Sequence, residues 1–189
     1  RSTFAPQAQQ KGLEFVVDIA QGLPATIVTD EQRLQQVVKN LISNAIKFTE
    51  HGRVQLSMFP APKDLWHSVP TLDNAETVVA LSVSDTGVGV PAEKLGLIFE
   101  EFQQADGTTS RKYGGTGLGL SISRNITRLL GGAIAVESAE GVGSTFTIYV
   151  PADFPFEIVE ATESRSATPA RLPKGPMLSR AVRPPIELG

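Results

Sequence analysis

The sequence predicts a domain of the α/β class, because segments rich in β-branched and apolar residues alternate with segments that have helical periodicity. Its composition supports a folded core. Of the 189 residues, 41% are hydrophobic and 20% are charged, which is typical of globular proteins and excludes a mainly disordered chain. This length accommodates one domain of ordinary size together with a tail.

The first part of the chain is predicted to contain a short polar helix, two strands and a long helix, at residues 1–11, 13–19, 25–28 and 30–48. Pro6 interrupts the first helix. Thr29 begins a capping-box pattern, T-D-E-Q, which predicts the start of the long helix. The apolar side chains of the long helix recur at a spacing that puts them on one face: Leu34, Val37, Val38, Leu41, Ala45 and Phe48.

The rest of the chain is predicted to contain four more strands and two more helices. The strands are expected at residues 53–59, 77–83, 134–138 and 145–150, and the helices at residues 91–99 and 118–130. The last two strands form a hairpin around the turn at residues 140–143. Residues 60–76 are expected to form an exposed loop, and residues 103–116, which are polar and glycine-rich, a mobile loop. Residues 160–189 hold five prolines without apolar periodicity, which is typical of a linker.

Charge and cysteine content exclude several classes of function. The chain has no cysteine, which excludes a disulfide framework, a thiolate zinc site and a cysteine nucleophile. The net charge is −3 and the sequence has no basic stripe, so no nucleic-acid partner is expected. No apolar run is long enough for a membrane helix and no signal sequence is evident, so we expect a cytoplasmic segment without direct membrane contact.

Three polar residues follow one side of the long predicted helix. Asn40, Asn44 and Lys47 are spaced by four and three residues, beside the apolar stripe. Such a polar stripe can simply be the solvated edge of the helix. Asparagine, however, is a mediocre helix former, and an amide oxygen with an ammonium group suits Mg²⁺ and phosphate oxygens.

A second polar group follows the apolar strand 77–83, where Asp85, Gly87 and Gly89 form the pattern D-x-G-x-G. One interpretation is a tight turn. The other is a carboxylate that accepts a hydrogen bond from an amino group such as that of adenine, with glycines that let the backbone approach the base. A dinucleotide fingerprint is excluded because no third glycine opens a helix here.

Glycines are concentrated a second time where the last predicted helix begins, in G-G-T-G-L-G-L at residues 114–120. This segment could be a flexible hinge or, because backbone amides at a helix N-terminus bind anions, a phosphate cradle. It is not a Walker loop, because no Gly-Lys-Ser/Thr follows. Arg111 and Lys112 lie just upstream and could reach phosphates or be solvated. Phe99 and Phe102, three residues apart, are interpreted as core packing that anchors this loop.

The order of these motifs resembles that of the catalytic, ATP-binding domain of sensor histidine kinases, in the GHKL superfamily. The N box resembles residues 40–49, the first glycine box residues 85–89, the F box residues 99–102 and the second glycine box residues 115–119. The resemblance implies a Bergerat-type fold, a two-layer α/β sandwich of helices on a mixed, mainly antiparallel sheet. It also implies a catalytic domain at residues 13–152, preceded by a hairpin end or linker at 1–12 and followed by a poorly ordered linker at 153–189.

The resemblance further implies a role for each motif residue. Asn44 would be the Mg²⁺ ligand with Asn40 in support, Lys47 would contact phosphate, and Asp85 would bind the adenine amine. Phe48 would border the nucleoside, and Arg111 or Lys112 would help to hold the phosphates. Gly87 and Gly89 of the first glycine box would also bind the nucleotide. The lid over ATP would contain Gly115, Thr116, Gly117, Leu118, Gly119 and Leu120.

The implied activity is transfer of the γ-phosphoryl group of ATP to a histidine in two-component signalling. Hydrolytic members of the superfamily have a glutamate at the position of Asn40, and asparagine is a poor base. The accepting histidine is expected on a helical hairpin outside this segment, because His51 and His67 lack the family's context. A receiver domain or response regulator is the expected next partner, as in hybrid kinases. The alternatives are a hydrolysing GHKL ATPase, a serine kinase and a non-catalytic nucleotide-binding module.

Overall fold

The structure, a computed structural model, describes residues 4–62, 69–100 and 118–153. Its helices are Ala5–Gln10 (α1), Glu31–Phe48 (α2), Pro70–Asp73 (α3) and Gly119–Leu129 (α4), with a short 3-10 helix at Ala92–Lys94. Its strands are Glu14–Ile19 (β1), Arg53–Pro60 (β2), Val78–Asp85 (β3), Ala133–Ala139 (β4) and Gly143–Pro151 (β5).

The five strands form one mixed sheet in the order β1-β2-β3-β5-β4. β1 pairs with β2 in parallel, and the other three pairings are antiparallel. The central strand β3 is buried along its first six residues, as expected of its nearly continuous run of apolar residues. The sheet register places Asp85, the last residue of β3, opposite Val54 of β2 and Ser144 of β5. The mixed, mainly antiparallel sheet confirms the predicted fold class.

The main core lies between the sheet and the apolar face of α2. Alternate residues of β3 (Val79, Leu81 and Val83) belong to the same buried cluster as Val37 and Leu41 of α2. This alternation follows from the two-residue period of a strand. The polar residues of the predicted site lie beside this buried face of α2, where the helix surface is half-buried.

Most predicted elements are confirmed, including β1, α2, α4 and the hairpin of β4 and β5. The helix α1 is also present, but the predicted interruption is wrong: Pro6 lies in its first turn, where a missing amide hydrogen breaks no helical hydrogen bond. The strand predicted at residues 25–28 is wrong: the segment makes only an isolated bridge between Val28 and Asp153. Ala25, Thr26 and Val28 are exposed, so the segment lacks the burial of a paired strand, and of its amides only that of Val28 donates to a described residue, to the carbonyl of Ala152 at 2.7 Å. The loop predicted at residues 60–76 contains the one-turn helix α3, which buries Leu72.

Two helix boundaries also differ from their prediction. The N-cap of α2 is Asp30 and not Thr29: the Asp30 side chain accepts a hydrogen bond of 3.0 Å from the backbone amide of Arg33. Aspartate is an equally good cap, and its charge also suits the positive end of the helix dipole. The helix predicted at residues 91–99 is reduced to the 3-10 helix Ala92–Lys94, followed by turns. In the described ranges no helix is both long and apolar enough to cross a membrane.

Candidate functional site

The polar side of α2 carries two asparagines in different environments. Asn40 and Asn44 are both half-buried. The Asn40 side chain donates a hydrogen bond of 2.8 Å from Nδ2 to Oγ of Ser123, a buried residue of α4. The Asn44 side chain makes no hydrogen bond to any described residue. Asn40 therefore ties α2 to α4, and the amide oxygen of Asn44 is available to a ligand.

The carboxylate of Asp85 lies at the end of the central strand β3. Its Oδ1 accepts a hydrogen bond of 2.8 Å from the Gly87 amide, and the carboxylate also accepts one from the Ser144 amide. Burial raises the pKa of Asp85 above its ordinary value of 3.8, although these two hydrogen bonds act in the opposite direction. An ionised carboxylate has about four acceptor positions, so Asp85 can accept further hydrogen bonds from a ligand.

The first glycine box is packed directly against the end of α2. A Cβ atom at Gly87 would overlap the carbonyl oxygen of Phe48 and would lie 2.8 Å from Oδ1 of Asp85. The next amide, that of Val88, donates a hydrogen bond of 3.3 Å to the same Phe48 carbonyl. Glycine is therefore required at position 87 because the backbone of this loop touches the backbone of the helix.

The turn between β4 and β5 supports the same loop from the other side. The amide of Gly141 donates to the carbonyl of Val88 (2.8 Å), and the amide of Val90 donates to Oγ of Ser138 (2.7 Å). Gly89 has a φ of +68°, and a Cβ atom there would overlap the carbonyl oxygen of Ala139. These contacts hold residues 87–90 between α2 and the β4–β5 turn.

The described end of the second glycine box also contacts α2. A Cβ atom at Gly119, the first residue of α4, would lie 2.7 Å from Oδ1 of Asn40. The two glycine boxes therefore approach α2 at Asn40 and at Phe48, with Asn44 midway between them. These positions are spaced by four residues, so they share one side of the helix and the outer two are separated by about 12 Å along its axis.

Lys47 and Phe48 lie at the C-terminal end of this side of α2, and both are half-buried. The Lys47 ammonium group lies 4.8 Å from the centre of the Phe48 ring, which is a cation–π distance. A cation therefore lies beside the Phe48 ring, one turn from Asn44 along the helix. Leu118 and Leu120 flank Gly119 at the start of α4 and are also half-buried.

Phe99 of the predicted F box is a core residue. It is buried and makes an edge-to-face contact with Phe146 of β5, with ring centres 6.4 Å apart. The guanidinium of Arg124 on α4 lies 5.7 Å from the centre of the Phe99 ring. Phe99 thus joins α4 to the sheet, in agreement with its interpretation as core packing.

Some of the predicted site lies outside the described residues: Phe102, Arg111, Lys112, Gly115, Thr116 and Gly117. In the described part of the chain, no group of three or more histidine, cysteine, aspartate or glutamate side chains could hold a metal ion. Asn44 therefore stays the predicted protein ligand for Mg²⁺, an ion that commonly takes few protein ligands and keeps bound water and phosphate oxygens. The chemistry of this amide oxygen fits that ion.

Sequence reasoning missed Ser123 and Ser138, whose hydroxyls hold Asn40 and residue 90 in place. Serine is common on helices and strands, and neither serine belongs to a recognisable motif. The available signal for Ser123 is its position four residues after Gly119, one turn into the same helix. The signal is too general to identify the residue without the fold.

The contact between Asn40 and Ser123 leads to a first prediction. We expect Ser123→Ala to lower the free energy of unfolding by about 1 kcal/mol, because it removes the acceptor of a partly buried amide. Thermal unfolding checks this expectation. Ser43→Ala, at an exposed position of α2, is the matched control and should leave the melting temperature unchanged or slightly higher. Equal melting temperatures for the two variants would show that the hydrogen bond contributes nothing.

The chain matches a known protein family. The sequence model of the family described as "Histidine kinase-, DNA gyrase B-, and HSP90-like ATPase" matches residues 29–153, which include both described glycine contacts and all of α2. The chain belongs to this family. The matched range begins one residue before the N-cap of α2 and ends two residues after β5.

Within the family, the chain is similar to hybrid and sensor histidine kinases. It is 38% identical over 146 residues to hybrid signal transduction histidine kinase B of Dictyostelium discoideum, which covers 77% of this chain and 7% of that protein. It is 35% identical over 170 residues to the histidine-protein kinase BarA of Escherichia coli K12, covering 89% of this chain and 18% of BarA. The chain therefore spans less than a fifth of the length of these relatives.

Solved histidine kinases have the same fold. Full-length ShkA in complex with AMPPNP matches with a TM-score of 0.63 and 34% identity, over 78% of this chain and 27% of ShkA. The catalytic domain of the histidine kinase ThkA matches with a TM-score of 0.60 and 27% identity, over 79% of this chain and 86% of that domain. These similarities identify the chain as a GHKL ATPase domain of the histidine kinase type.

Proposed function

We propose that this GHKL domain binds Mg-ATP and transfers its γ-phosphoryl group to a histidine on a helical hairpin outside residues 13–152, as the catalytic domain of a two-component kinase. Residues 1–12 would connect it to that hairpin, and residues 153–189 would be a linker, with a receiver domain or response regulator as the next acceptor. One observation carries the proposal: the two glycine boxes contact α2 on either side of Asn44, and Asp85 lies at the base of one of them.

Adenine binding is supported by the environment of Asp85. Its carboxylate is partly buried, is oriented by the Gly87 amide and has acceptor positions left over. The exocyclic amine of adenine is a donor that such a carboxylate would accept. The absence of side chains at positions 87 and 89 lets the loop backbone approach the base. ShkA, whose structure contains AMPPNP, is similar to 78% of this chain.

Phosphate binding is supported by groups on both sides of Asn44. The Lys47 ammonium would offset phosphate charge, and the N-terminus of α4 begins at Gly119 beside Asn40. Asn44 would hold Mg²⁺ through its amide oxygen. Bound Mg²⁺ supplies positive charge that neutralises phosphate oxygens during phosphoryl transfer. The task of this chain is then to position the γ-phosphate and exclude water.

Transfer is favoured over hydrolysis by the chemistry of Asn40. Its amide cannot accept a proton from water at neutral pH, and its nitrogen is already bonded to Ser123. A histidine nitrogen on a partner hairpin is itself a nucleophile and needs no such base. The P–O bond to the β-phosphate would break as the N–P bond forms, and ADP would leave.

The role of Asn44 is tested by removing the metal and the amide separately. For the wild-type chain, we expect EDTA to weaken AMPPNP binding at least tenfold, because the metal screens the triphosphate. Asn44→Ala should bind Mg-AMPPNP about as weakly as the wild type binds AMPPNP in EDTA, with little further loss on chelation. Isothermal titration calorimetry measures all four affinities. Wild-type affinity for Mg-AMPPNP in Asn44→Ala would contradict the assignment.

Transfer itself is tested with γ-labelled ATP and a separately produced phosphoacceptor hairpin of a histidine kinase. We expect the hairpin to acquire a label that is acid-labile and alkali-stable. This labelling should require the wild-type chain and should be lost with Asn44→Ala. Steady phosphate release without any hairpin would favour a hydrolysing ATPase, and tight binding without transfer or release would favour a non-catalytic module. Ser43→Ala, on the exposed side of α2, is the control that should transfer normally.

A further inference from the structure

The end of α2, which carries Asn44 and Lys47, is held by contacts from three separate parts of the chain. The last carbonyl groups of an α-helix have no amide partners within the helix and need partners from elsewhere. Thr49, which is fully buried, closes the helix by donating from both its amide (3.1 Å) and its hydroxyl (2.7 Å) to the Ala45 carbonyl. The carbonyl of Phe48 accepts from the amide of Val88 in the first glycine box.

The two carbonyls between these positions are both bound by a single side chain. The ammonium nitrogen of Lys11 donates to the carbonyl of Ile46 at 2.7 Å and to that of Lys47 at 2.8 Å. Lys11 lies 35 residues away from Ile46 in sequence, at the C-cap of α1. A cation at this point also lies at the negative end of the α2 dipole, where it is stabilising.

The backbone from which Lys11 extends is itself fixed to the domain. On one side Ala8 of α1 is fully buried, and on the other Leu13 is buried in the same core. The amide of Glu14 then donates to the carbonyl of Gly52, just past the end of α2. Lys11 itself is exposed, but its backbone is fixed by these buried neighbours and its ammonium group is bonded to two carbonyls of α2.

We propose that Lys11 is a positioning residue for the nucleotide site, which sets the position of the last turn of α2 and through it the side chains of Lys47 and Asn44. This inference rests on the proposed function. Lys11 does not touch the nucleotide in this arrangement, because its ammonium is bonded to the helix carbonyls. We expect its effect to act through the side chains of Lys47 and Asn44, which would contact phosphate and Mg²⁺, and not through Asp85, which lies on β3.

The test compares three variants of the 189-residue chain. Lys11→Met removes the donors and keeps the length of the stem, Lys11→Arg restores a cationic donor, and Lys39→Met removes an exposed lysine of α2 as a matched control. Calorimetry gives the Kd for Mg-AMPPNP, and an NMR titration gives the Kd for adenosine. Both are measured well below the melting temperature of every variant, so that only folded protein is compared.

We expect Lys11→Met to raise the Kd for Mg-AMPPNP about three- to tenfold, because the last turn of α2 loses the donor that holds two of its carbonyl groups. The Kd for adenosine should change less than about twofold. Lys11→Arg should recover most of the loss, and Lys39→Met should behave as the wild type. If Lys11→Met does not fold, Lys11→Gln, which keeps a neutral donor, replaces it in the same comparison.

The possible outcomes separate this inference from the function on which it rests. If the wild-type chain fails to bind Mg-AMPPNP, the proposed function is contradicted. If the wild type binds, and Lys11→Met binds both ligands as tightly as the wild type but melts at a lower temperature, only the inference is overturned. Lys11 is then a stabilising helix cap. An equal loss for adenosine and Mg-AMPPNP also overturns it, because the last turn of α2 would then act through Phe48 and the first glycine box and not through Lys47 and Asn44.

Discussion

Asp85→Asn is expected to weaken Mg-AMPPNP binding about a hundredfold while leaving the folded domain as stable as the wild type or more stable. The affinity falls because a charge-assisted hydrogen bond of about 3 kcal/mol is lost, and because an asparagine NH₂ group facing the adenine amine pairs a donor with a donor. The fold is retained because the asparagine Oδ1 can still accept the Gly87 amide, and removal of the buried charge offsets any loss of the bond from the Ser144 amide. Calorimetry and thermal unfolding measure the two effects separately.

The stability effect follows from the direction of the pKa shift. Burial raises the folded-state pKa of Asp85 above 3.8, so between 3.8 and that higher value the folded chain binds more protons than the unfolded chain. The contribution of Asp85 to the free energy of unfolding therefore falls as the pH rises through this window, and at neutral pH the buried charge opposes folding. Asp85→Asn removes this destabilising charge. A residue whose charge lowers the stability of the fold is typical of a functional site.

Nucleotide affinity should depend on pH in the opposite direction. As the pH falls through the raised pKa, Asp85 becomes protonated and loses acceptor capacity, so wild-type affinity should decrease. The Asp85-dependent part of this decrease should be absent in Asp85→Asn. Asp18→Asn, at an exposed position of β1, is the control for general charge effects. Wild-type affinity in Asp85→Asn at neutral pH would contradict the adenine assignment.

The fold was largely predictable because its elements have strong local signals. The apolar residues of α2 follow helical periodicity over 18 residues, and β3 is a continuous run of buried apolar residues. These two elements form the centre of the core, so a correct assignment of both fixes the α/β class. Segments with weak signals were predicted less well: the strand at residues 25–28 is a single bridge, and the cap of α2 is Asp30, next to the predicted Thr29.

The site was predictable where motif residues are close in sequence and not where the contacts are distant. Asp85 and Gly87 are two residues apart, and their hydrogen bond follows from local turn geometry. In contrast, Ser123 is 83 residues from Asn40, and Lys11 is 36 residues from Lys47. A sequence pattern records which residues carry chemistry, whereas the hydroxyl and ammonium groups that hold those residues depend on how α1 and α4 pack against α2.

Gly87→Ala is expected to lower the free energy of unfolding by about 2 kcal/mol and to weaken Mg-AMPPNP binding more than tenfold. The reason is steric: an added Cβ would overlap the Phe48 carbonyl oxygen and lie 2.8 Å from Oδ1 of Asp85, so the loop must move away from α2 or the carboxylate must turn. Either movement separates the adenine acceptor from the phosphate end of the site. Thermal unfolding and calorimetry measure the two losses.

The matched control for this effect is Gly22→Ala, in the turn that follows β1. Gly22 has a φ of +84°, and an added Cβ would meet only the Pro60 side chain, at an ordinary 3.7 Å, so alanine there causes backbone strain of about 1 kcal/mol. Gly87 has the opposite problem, a steric clash without a positive φ. If close approach to α2 builds the site, Gly87→Ala must lose far more affinity than Gly22→Ala at a temperature where both variants are folded. Similar affinities for the two variants would mean that the contact between the first glycine box and Phe48 only stabilises the fold.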